Sequence, residues 1–200
     1  NLVTHNGHRG IEAFCSNSSN VATGGIMIRY NTIWNNDADP NRSAANGELY
    51  NQGCGSLSMV NNVVSMNPDF TQSGVQLLAL YNEFSSGLAV IHNNSFWCGV
   101  VGNSACLQTD TPVSNGDMNG NQVGVIPLIT APSLNDAVAD WHVQTGSTLQ
   151  NAGTTAYGFP PLDLAGNPRV VGGQTDMGAY EGGHTPTWMQ AGSTFDMNFA

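Results

Sequence analysis

A repeat of about 30 residues runs through the first half of the chain and limits the folds open to it. Four segments begin with an asparagine, at intervals of 30, 31 and 32 residues: Asn1, Asn31, Asn62 and Asn94. Five residues further on lies a second column: Asn6, Asn36, Asn67 and Gly99. Periods of roughly 20 to 50 residues are typical of solenoids, propellers and other stacked arrays.

The content of each repeat favours short strands over helices. Helical repeats need runs of roughly ten or more helix-forming residues, and the sequence contains no such run. Its apolar stretches are short and aliphatic or β-branched, with Asn, Gly and Ser at their ends. Two or three strands per repeat, each stacked on its copy in the next repeat, predict an all-β parallel β-helix. The repeated asparagines would then hydrogen-bond along the stack, which is an architectural role.

Composition argues against two classes of partner. Charged residues make up 9% of the 200 residues, the formal net charge is −10, and the chain has four arginines and no lysine. Nucleic acids and anionic membrane surfaces both attract clustered basic residues, so we expect neither as a partner. The 24 asparagines and 24 glycines suit a chain of many turns. Such a charge-poor composition is typical of an extracellular or cell-surface protein.

The four cysteines favour disulfides over a metal site. They include no C-x-x-C pair, so we expect no zinc site. An even number in a chain that looks exported predicts bridges. We expect Cys98–Cys106 to close a short loop and Cys15–Cys54 to join neighbouring repeats. Four buried free thiols are the alternative.

The segment from Asp163 to Glu181 resembles a known family. Its sequence, DLAGNPRVVGGQTDMGAYE, follows the pattern D-x-x-G-x-x-R-x-x-G-x-x-x-D-x-G-A-Y-E, which closes bacterial right-handed parallel β-helix proteins of the pectate-lyase-like superfamily. NGHRGIEAF near the start and DWHVQTGSTLQNAG before the segment are similar to the same family. Thr148 and Asn151 depart from it, since the family has Pro and Asp there.

The resemblance implies a fold and a range of activities. It implies a right-handed parallel β-helix of about four to five coils over residues 1–120, an irregular cap at 121–183 and a loose tail at 184–200. The superfamily contains polysaccharide lyases, glycoside hydrolases, epimerases and surface proteins without known chemistry. We expect the charged residues of the closing segment to tie irregular backbone over the last coil: Asp163, Arg169, Asp176 and Glu181.

The densest polar cluster of the repeats supplies the candidate catalytic residues. It contains His5, His8, Arg9 and Glu12, and Glu48 lies one repeat further on. The asparagine columns place Glu12 beside Tyr50, and strand alternation then puts Glu48 on the same face. The spacing between the two backbones would be roughly 8 Å, which suits the acid and base of an inverting glycosidase.

Two other reactions or roles remain open for this cluster. In β-elimination, Arg9 or His8 would be the base, and Arg or Ca²⁺ would neutralise a uronate. Gln76 and Glu83 are the corresponding polar residues of the third coil. We expect a secreted protein that cleaves a polysaccharide as lyase or hydrolase. The alternative is a non-catalytic carbohydrate-binding or cell-surface β-helix protein.

The sequence requires no cofactor, although two loops have oxygen ligands of the kind that bind Ca²⁺. These are DADPN at 37–41 and GDMNGN at 116–121. A protein of net charge −10 repels a polyuronate unless Ca²⁺ bridges the two, which favours a neutral glycan. We also expect the open edge of the first coil to be covered by the apolar 184–200 tail, by a preceding segment or by a second copy. A homo-oligomer through this coil is our first choice.

Overall fold

The fold is all-β in the part of the chain that the structure, a computed structural model, describes. Described are residues 1–15, 26–36, 46–54, 57–66, 77–83, 89–102, 104–133, 135 and 137–182. In order, the strands are β1 (Leu2–Thr4), β2 (Ile11–Phe14), β3 (Ile26–Arg29), β4 (Thr32–Trp34), β5 (Asn46–Gln52), β6 (Leu57–Val60), β7 (Val63–Ser65), β8 (Leu77–Glu83), β9 (Val90–His92), β10 (Ser95–Trp97), β11 (Leu107–Thr109), β12 (Gln122–Val123), β13 (Ile129–Ala131) and β14 (Asp140–Val143).

The first twelve strands form three parallel sheets. Sheet A has the order β1-β4-β7-β10-β12, sheet B the order β11-β8-β5-β2, and sheet C the order β3-β6-β9. Successive strands enter sheets A, B and C in turn, and each pairs with its copy one repeat away. Stacked parallel strands are therefore confirmed, in an order compatible with a β-helix. None of the described residues forms a helix long and apolar enough to cross a membrane.

One apolar core lies against all three sheets. Alternate residues of most strands enter it, as the period of two requires, while on β8 the consecutive Ala79 and Leu80 both do. In sheet A, for example, Val64 belongs to this core while Val63 belongs to a separate cluster on the opposite face. The fully buried members of the main core come from all three sheets: Ile33, Val64, Phe96, Leu49, Ala79, Leu80 and Met59.

The predicted asparagine ladder is present at the turn before each strand of sheet A. The side-chain amides donate from each repeat to the next, over 2.9 Å, 2.8 Å, 2.9 Å and 3.3 Å. The ladder consists of the predicted Asn1, Asn31, Asn62 and Asn94, and it continues to Asn121, which was not predicted. The second column is confirmed for Asn6 and Asn36, at 2.9 Å, and Asn67 lies outside the described residues. A further rung joins Asn51 to Asn82 at 2.8 Å, which the sequence did not predict.

Both expected disulfides are present. Cys15 and Cys54 have Cα atoms 5.1 Å apart and join the ends of the neighbouring strands β2 and β5. Cys98 and Cys106 have Cα atoms 5.4 Å apart and close a short loop between β10 and β11. Two disulfides are typical of a protein from an oxidising environment.

The segment from Ile129 to Gly182 packs on the outer face of sheet A, not over the last coil as predicted. It contains the antiparallel pair of β13 and β14. Its buried residues form a second apolar cluster with Val63, from the outer face of β7. They are Ile129, Trp141, Val143, Leu149 and Met177. The prediction failed because the repeat pattern indicates no partner for the outer face of sheet A.

Hydrogen bonds fasten this segment to several repeats in succession. The side chains of Gln122 and Thr148 bond at 2.7 Å, and Asn93 donates to the Ala152 carbonyl at 3.0 Å. The Asn61 amide brackets the backbone of Thr154 at 2.7 Å and 2.8 Å, and the Ala179 N–H donates to Thr32 at 3.0 Å. The segment therefore runs lengthwise along the stack.

Candidate functional site

The outward side of sheet B carries an aligned set of polar and aromatic side chains, called here the sheet B face. Leu49 and Leu80 point into the main core, and the residues that follow them, Tyr50 and Tyr81, lie outside that core. Register aligns two outward rows across the repeats. One row is Glu12, Tyr50, Tyr81 and Gln108, and the other is Phe14, Gln52 and Glu83.

Two tyrosines and an arginine form the centre of the sheet B face. The rings of Tyr50 and Tyr81 are stacked, with centroids 4.5 Å apart and planes 8° from parallel. The Arg9 guanidinium lies 3.5 Å from the Tyr50 centroid and also pairs with the Glu12 carboxylate. The tyrosines are only 5% and 8% exposed, so they pack against each other and do not offer a face to a sugar.

Hydrogen bonds orient the polar side chains around the tyrosines. Tyr50 donates its hydroxyl to Gln52 at 2.8 Å, and Tyr81 donates to Glu83 at 2.6 Å. Gln108 donates to the other oxygen of Glu83. Burial, followed by the hydrogen bond to Glu83, raises the pKa of Tyr81 well above its usual value, so its hydroxyl remains a donor. Gln52 and Glu83 are thereby held in fixed positions at a partly exposed surface.

Phe14 is the open aromatic of this face. Its side chain is 58% exposed and lies in register with Gln52, two residues from the exposed Glu12. An exposed phenylalanine between polar side chains offers an apolar ring to a ligand. Phe14 was not predicted as a site residue, although alternation in β2 turns it to the face opposite that of its buried neighbour Ala13.

Glu48 does not share this face with Glu12, contrary to prediction. The expected register of Glu12 with Tyr50 is confirmed. Glu48, however, is only 1% exposed. Its carboxylate accepts hydrogen bonds from the backbone N–H and side-chain amide of Asn36, at 2.8 Å and 2.7 Å. The Glu48 carboxylate therefore joins the second asparagine column and anchors the turn after β4.

A break in strand alternation explains this placement. Leu49 points into the main core, so regular alternation would turn Glu48 outward. The pairing of β5 with β8 skips Glu48, and on β8 the consecutive Ala79 and Leu80 both donate to the carbonyl of Cys106. Two residues opposite one partner is the geometry of a β-bulge. A bulge is not visible in the repeat pattern, so the prediction that strand alternation turns Glu48 outward was wrong.

The remaining predicted site residues are placed as follows. Arg9 and Glu12 lie together on the sheet B face as an ion pair, with side chains 22% and 43% exposed. His8 is exposed in the turn between β1 and β2. Glu83 lies on the same face as Glu12, and Gln76 lies outside the described residues. The structure thus brings together Arg9, Glu12 and Glu83, and separates Glu48 from them.

The charged residues of the closing segment are buried and hold irregular backbone, although on the outer face of sheet A and not over the last coil. Arg169 donates to the carbonyls of Gly178 and Ala179 and lies 3.5 Å from a carboxylate oxygen of Glu181. Asp163 accepts from the backbone N–H of Glu181 at 2.9 Å, and Glu181 accepts from that of Asp176 at 2.8 Å. Burial and the Asp176 charge raise the pKa of Glu181 to about 8. These contacts are structural.

The calcium predictions receive no support from side-chain clusters. The loop at 37–41 lies outside the described residues. In the other loop, Asp117 accepts hydrogen bonds from the backbone N–H groups of Asn119 and Asn121, at 3.0 Å and 3.1 Å. Although burial acts to raise it, these bonds hold the pKa of Asp117 below its usual value. The described residues include no group of three or more His, Cys, Asp or Glu side chains placed to hold a metal ion.

The sheet B face therefore combines an open ring, an ion pair and oriented amide and carboxylate groups. This is a surface suited to a polar ligand with apolar patches, and it lies on a parallel sheet held by the Asn51–Asn82 rung and the Cys15–Cys54 disulfide. Neither a protein-family model nor a curated protein matches this chain.

Proposed function

We propose that this protein is an extracellular right-handed parallel β-helix protein that binds a neutral polysaccharide on its sheet B face. The rotation of strands through sheets A, B and C supports the β-helix. The closing segment, which resembles that of pectate-lyase-like proteins, supports its handedness. The two disulfides support an extracellular location.

The observation that carries the binding proposal is the exposed ring of Phe14 beside Glu12 and Gln52. Sugars present apolar C–H faces and hydroxyl edges, which an aromatic ring and fixed polar groups contact respectively. Glu83 and Gln52 are already oriented by the tyrosine hydroxyls. Preorganised side chains lose less conformational entropy when a ligand binds.

Charge favours a neutral glycan over a polyuronate. The chain has a net charge of −10, and the sheet B face carries Glu12 and Glu83 against a single described cation, Arg9. Because Arg9 already pairs with Glu12, an incoming uronate carboxylate would compete with an existing ion pair. A neutral chain avoids that competition.

Cleavage of the bound polysaccharide is the second candidate. The exposed Glu12 carboxylate, beside Arg9, is an available proton-transfer group, and His8 is exposed nearby in sequence. The burial of Glu48 removes the predicted acid–base pair, so a two-carboxylate mechanism would need Glu83 in its place. Binding therefore has the stronger support of the two.

A pull-down on insoluble polysaccharides tests the proposal. We expect retention on a neutral glycan, and Phe14→Ala should weaken it about tenfold, equivalent to roughly 1.4 kcal/mol. Glu83→Gln should also weaken it. Reducing ends and unsaturated uronates, assayed on the same samples with Ca²⁺ and with EDTA, report cleavage.

The matched control is Asp140→Asn, which removes one carboxylate from β14, outside sheet B. Its retention should equal that of the wild type. If Asp140→Asn and Glu83→Gln lost retention equally, the loss would be explained by the change in net charge and not by a contact of Glu83 with the glycan. Retention that survives Phe14→Ala and Glu83→Gln would place the binding surface elsewhere.

A further inference from the structure

A cavity of about 410 Å³ lies at the edge of sheet A, between the ends of β1 and β4 and the segment that packs on them. We call it the tryptophan pocket. It is separate from the sheet B face, because none of its described lining residues belongs to sheet B. Its described lining residues are His5, Trp34, Asn35, Pro132, Ser133, Asn135 and Trp141.

His5 and Asn35 occupy equivalent positions in consecutive repeats. They directly follow Thr4 and Trp34, which are paired across β1 and β4, so their backbones lie about 4.8 Å apart. Both have left-handed backbone, with φ of 61° and 49°. Histidine and asparagine tolerate this conformation better than most residues.

Each of these two side chains has a buried polar atom without a partner. Nε2 of His5 and Oδ1 of Asn35 have no hydrogen bond to any described residue. An unsatisfied buried polar atom costs roughly 1–3 kcal/mol, and such atoms are rare in folded proteins. Both residues line the tryptophan pocket, so a small rotation of either side chain would bring its unpaired atom to a polar ligand there.

The other wall of the pocket is aromatic. Trp34 and Trp141 meet edge to face, with centroids 5.9 Å apart and an interplanar angle of 68°. Trp141 is buried, whereas Trp34 is only partly buried. Indole rings provide apolar contact and an N–H donor. Apolar rings with a few fixed polar groups are typical of a small-molecule site.

Size and charge narrow the ligand class. The volume corresponds to roughly a dozen water molecules, which leaves room for one hexose together with some of its hydration water. None of the described lining residues is Asp, Glu, Lys or Arg. An ionised ligand would therefore meet no counter-charge from these residues.

We propose that the tryptophan pocket is a second binding site, which takes one neutral sugar ring between the two tryptophans and the His5–Asn35 pair. Trp34 contacts the C–H face of the ring, and His5 and Asn35 bond its hydroxyls. The site is independent of the sheet B face. If the protein were not retained on any polysaccharide, the proposal of a sugar site in the tryptophan pocket would still stand.

An NMR titration of the ¹⁵N-labelled protein with sugars tests the proposal, with the chemical shifts of the tryptophan indole N–H groups as the readout. The probes are methyl β-D-glucopyranoside, methyl β-D-galactopyranoside and xylose, with glucuronate as the charged comparison. We expect saturable shifts of Trp34 and Trp141, but not of Trp97. Asn35→Gly and His5→Asn keep residues that accept left-handed backbone and should weaken binding about five- to tenfold each, the size of one hydrogen bond.

Asn151→Gly is the matched control for Asn35→Gly, since Asn151 is also left-handed, with φ of 53°, and does not line the pocket. Its spectrum and affinity should match those of the wild type. Absence of saturable shifts with all three neutral probes would overturn the proposal, because the pocket would then hold water alone. Equal affinity in Asn35→Gly, or tighter binding of glucuronate, would overturn the assigned contacts or the neutral ligand.

Discussion

The Arg169 guanidinium lies 3.5 Å from a carboxylate oxygen of Glu181, and the two side chains are 2% and 1% exposed. Despite this cation, burial and the Asp176 charge raise the pKa of Glu181 from 4.5 to about 8. Burial therefore outweighs the attraction of Arg169, which also serves two backbone carbonyls. The closing segment thus contains a carboxyl group that folding makes harder to ionise.

The first prediction is that Glu181 makes stability fall as pH rises. Between pH 4.5 and about 8 the folded state holds the Glu181 proton more tightly than the unfolded state does, so the free energy of unfolding decreases with rising pH. Glu181→Gln should flatten the decline in Tm over this range. Thermal melts of both proteins measure it, with Glu12→Gln as a control at an exposed carboxylate. Parallel curves for wild type and Glu181→Gln would contradict the prediction.

The second prediction concerns the ladder. Asn62 is fully buried, donates to Asn94 at 2.9 Å, and accepts from the Asn31 amide at 2.8 Å. Asn62→Leu leaves buried partners unsatisfied above and below, so the free energy of unfolding should fall by at least about 1–3 kcal/mol. Urea denaturation measures this change. An unchanged midpoint would show that the ladder adds nothing to stability.

The third prediction separates the two carboxylates that the sequence had paired. Glu48→Gln replaces one acceptor oxygen with a donor beside the Asn36 amide, which is itself a donor. Stability should fall by about 1–3 kcal/mol, while glycan retention per folded molecule stays unchanged. Glu12→Gln should do the reverse, lowering retention with little effect on stability. A loss of retention in well-folded Glu48→Gln would restore Glu48 as a site residue.

The fourth prediction ranks the disulfides. The bridges span 39 and 8 residues, and a longer closed loop restricts the unfolded chain more. Replacing both cysteines with alanine should cost about 4 kcal/mol for Cys15–Cys54 and about 2.5 kcal/mol for Cys98–Cys106. Denaturation under non-reducing conditions compares the two double variants. A larger loss at the short loop would mean that packing of the buried Cys98 and Cys106 outweighs chain entropy.

The contacts between equivalent positions of neighbouring repeats could be predicted from the sequence. The asparagine spacing determines the register, so it correctly aligned Glu12 with Tyr50 and Asn6 with Asn36. It also brought Cys15 beside Cys54. These contacts follow because each residue meets its own copy one repeat away, and local spacing contains that information.

Contacts between the repeats and the segment that follows them, and local irregularities within a strand, could not be predicted in this way. The break in alternation at Glu48, which lies level with the bulge at Ala79 and Leu80 of β8, leaves no periodic signal. Trp34 meets Trp141, and Asn61 meets Thr154, across 93 or more residues of unrelated pattern. The tryptophan pocket arises from such contacts, so its residues gave no common signal in the sequence. The candidate sheet B face was therefore only partly anticipated, through Arg9, Glu12 and Glu83.

The lengthwise course of the closing segment also bears on how the protein unfolds. A stack in which each repeat touches only its neighbours can fray from either end, one unit at a time. Here Thr148, Ala152 and Thr154 bind three different repeats, and Ala179 returns to Thr32 in the second. Unfolding one of these repeats therefore disturbs hydrogen bonds of a segment that also binds the others. Loss of structure should therefore be a single cooperative event, in which distant repeats exchange their amide protons together.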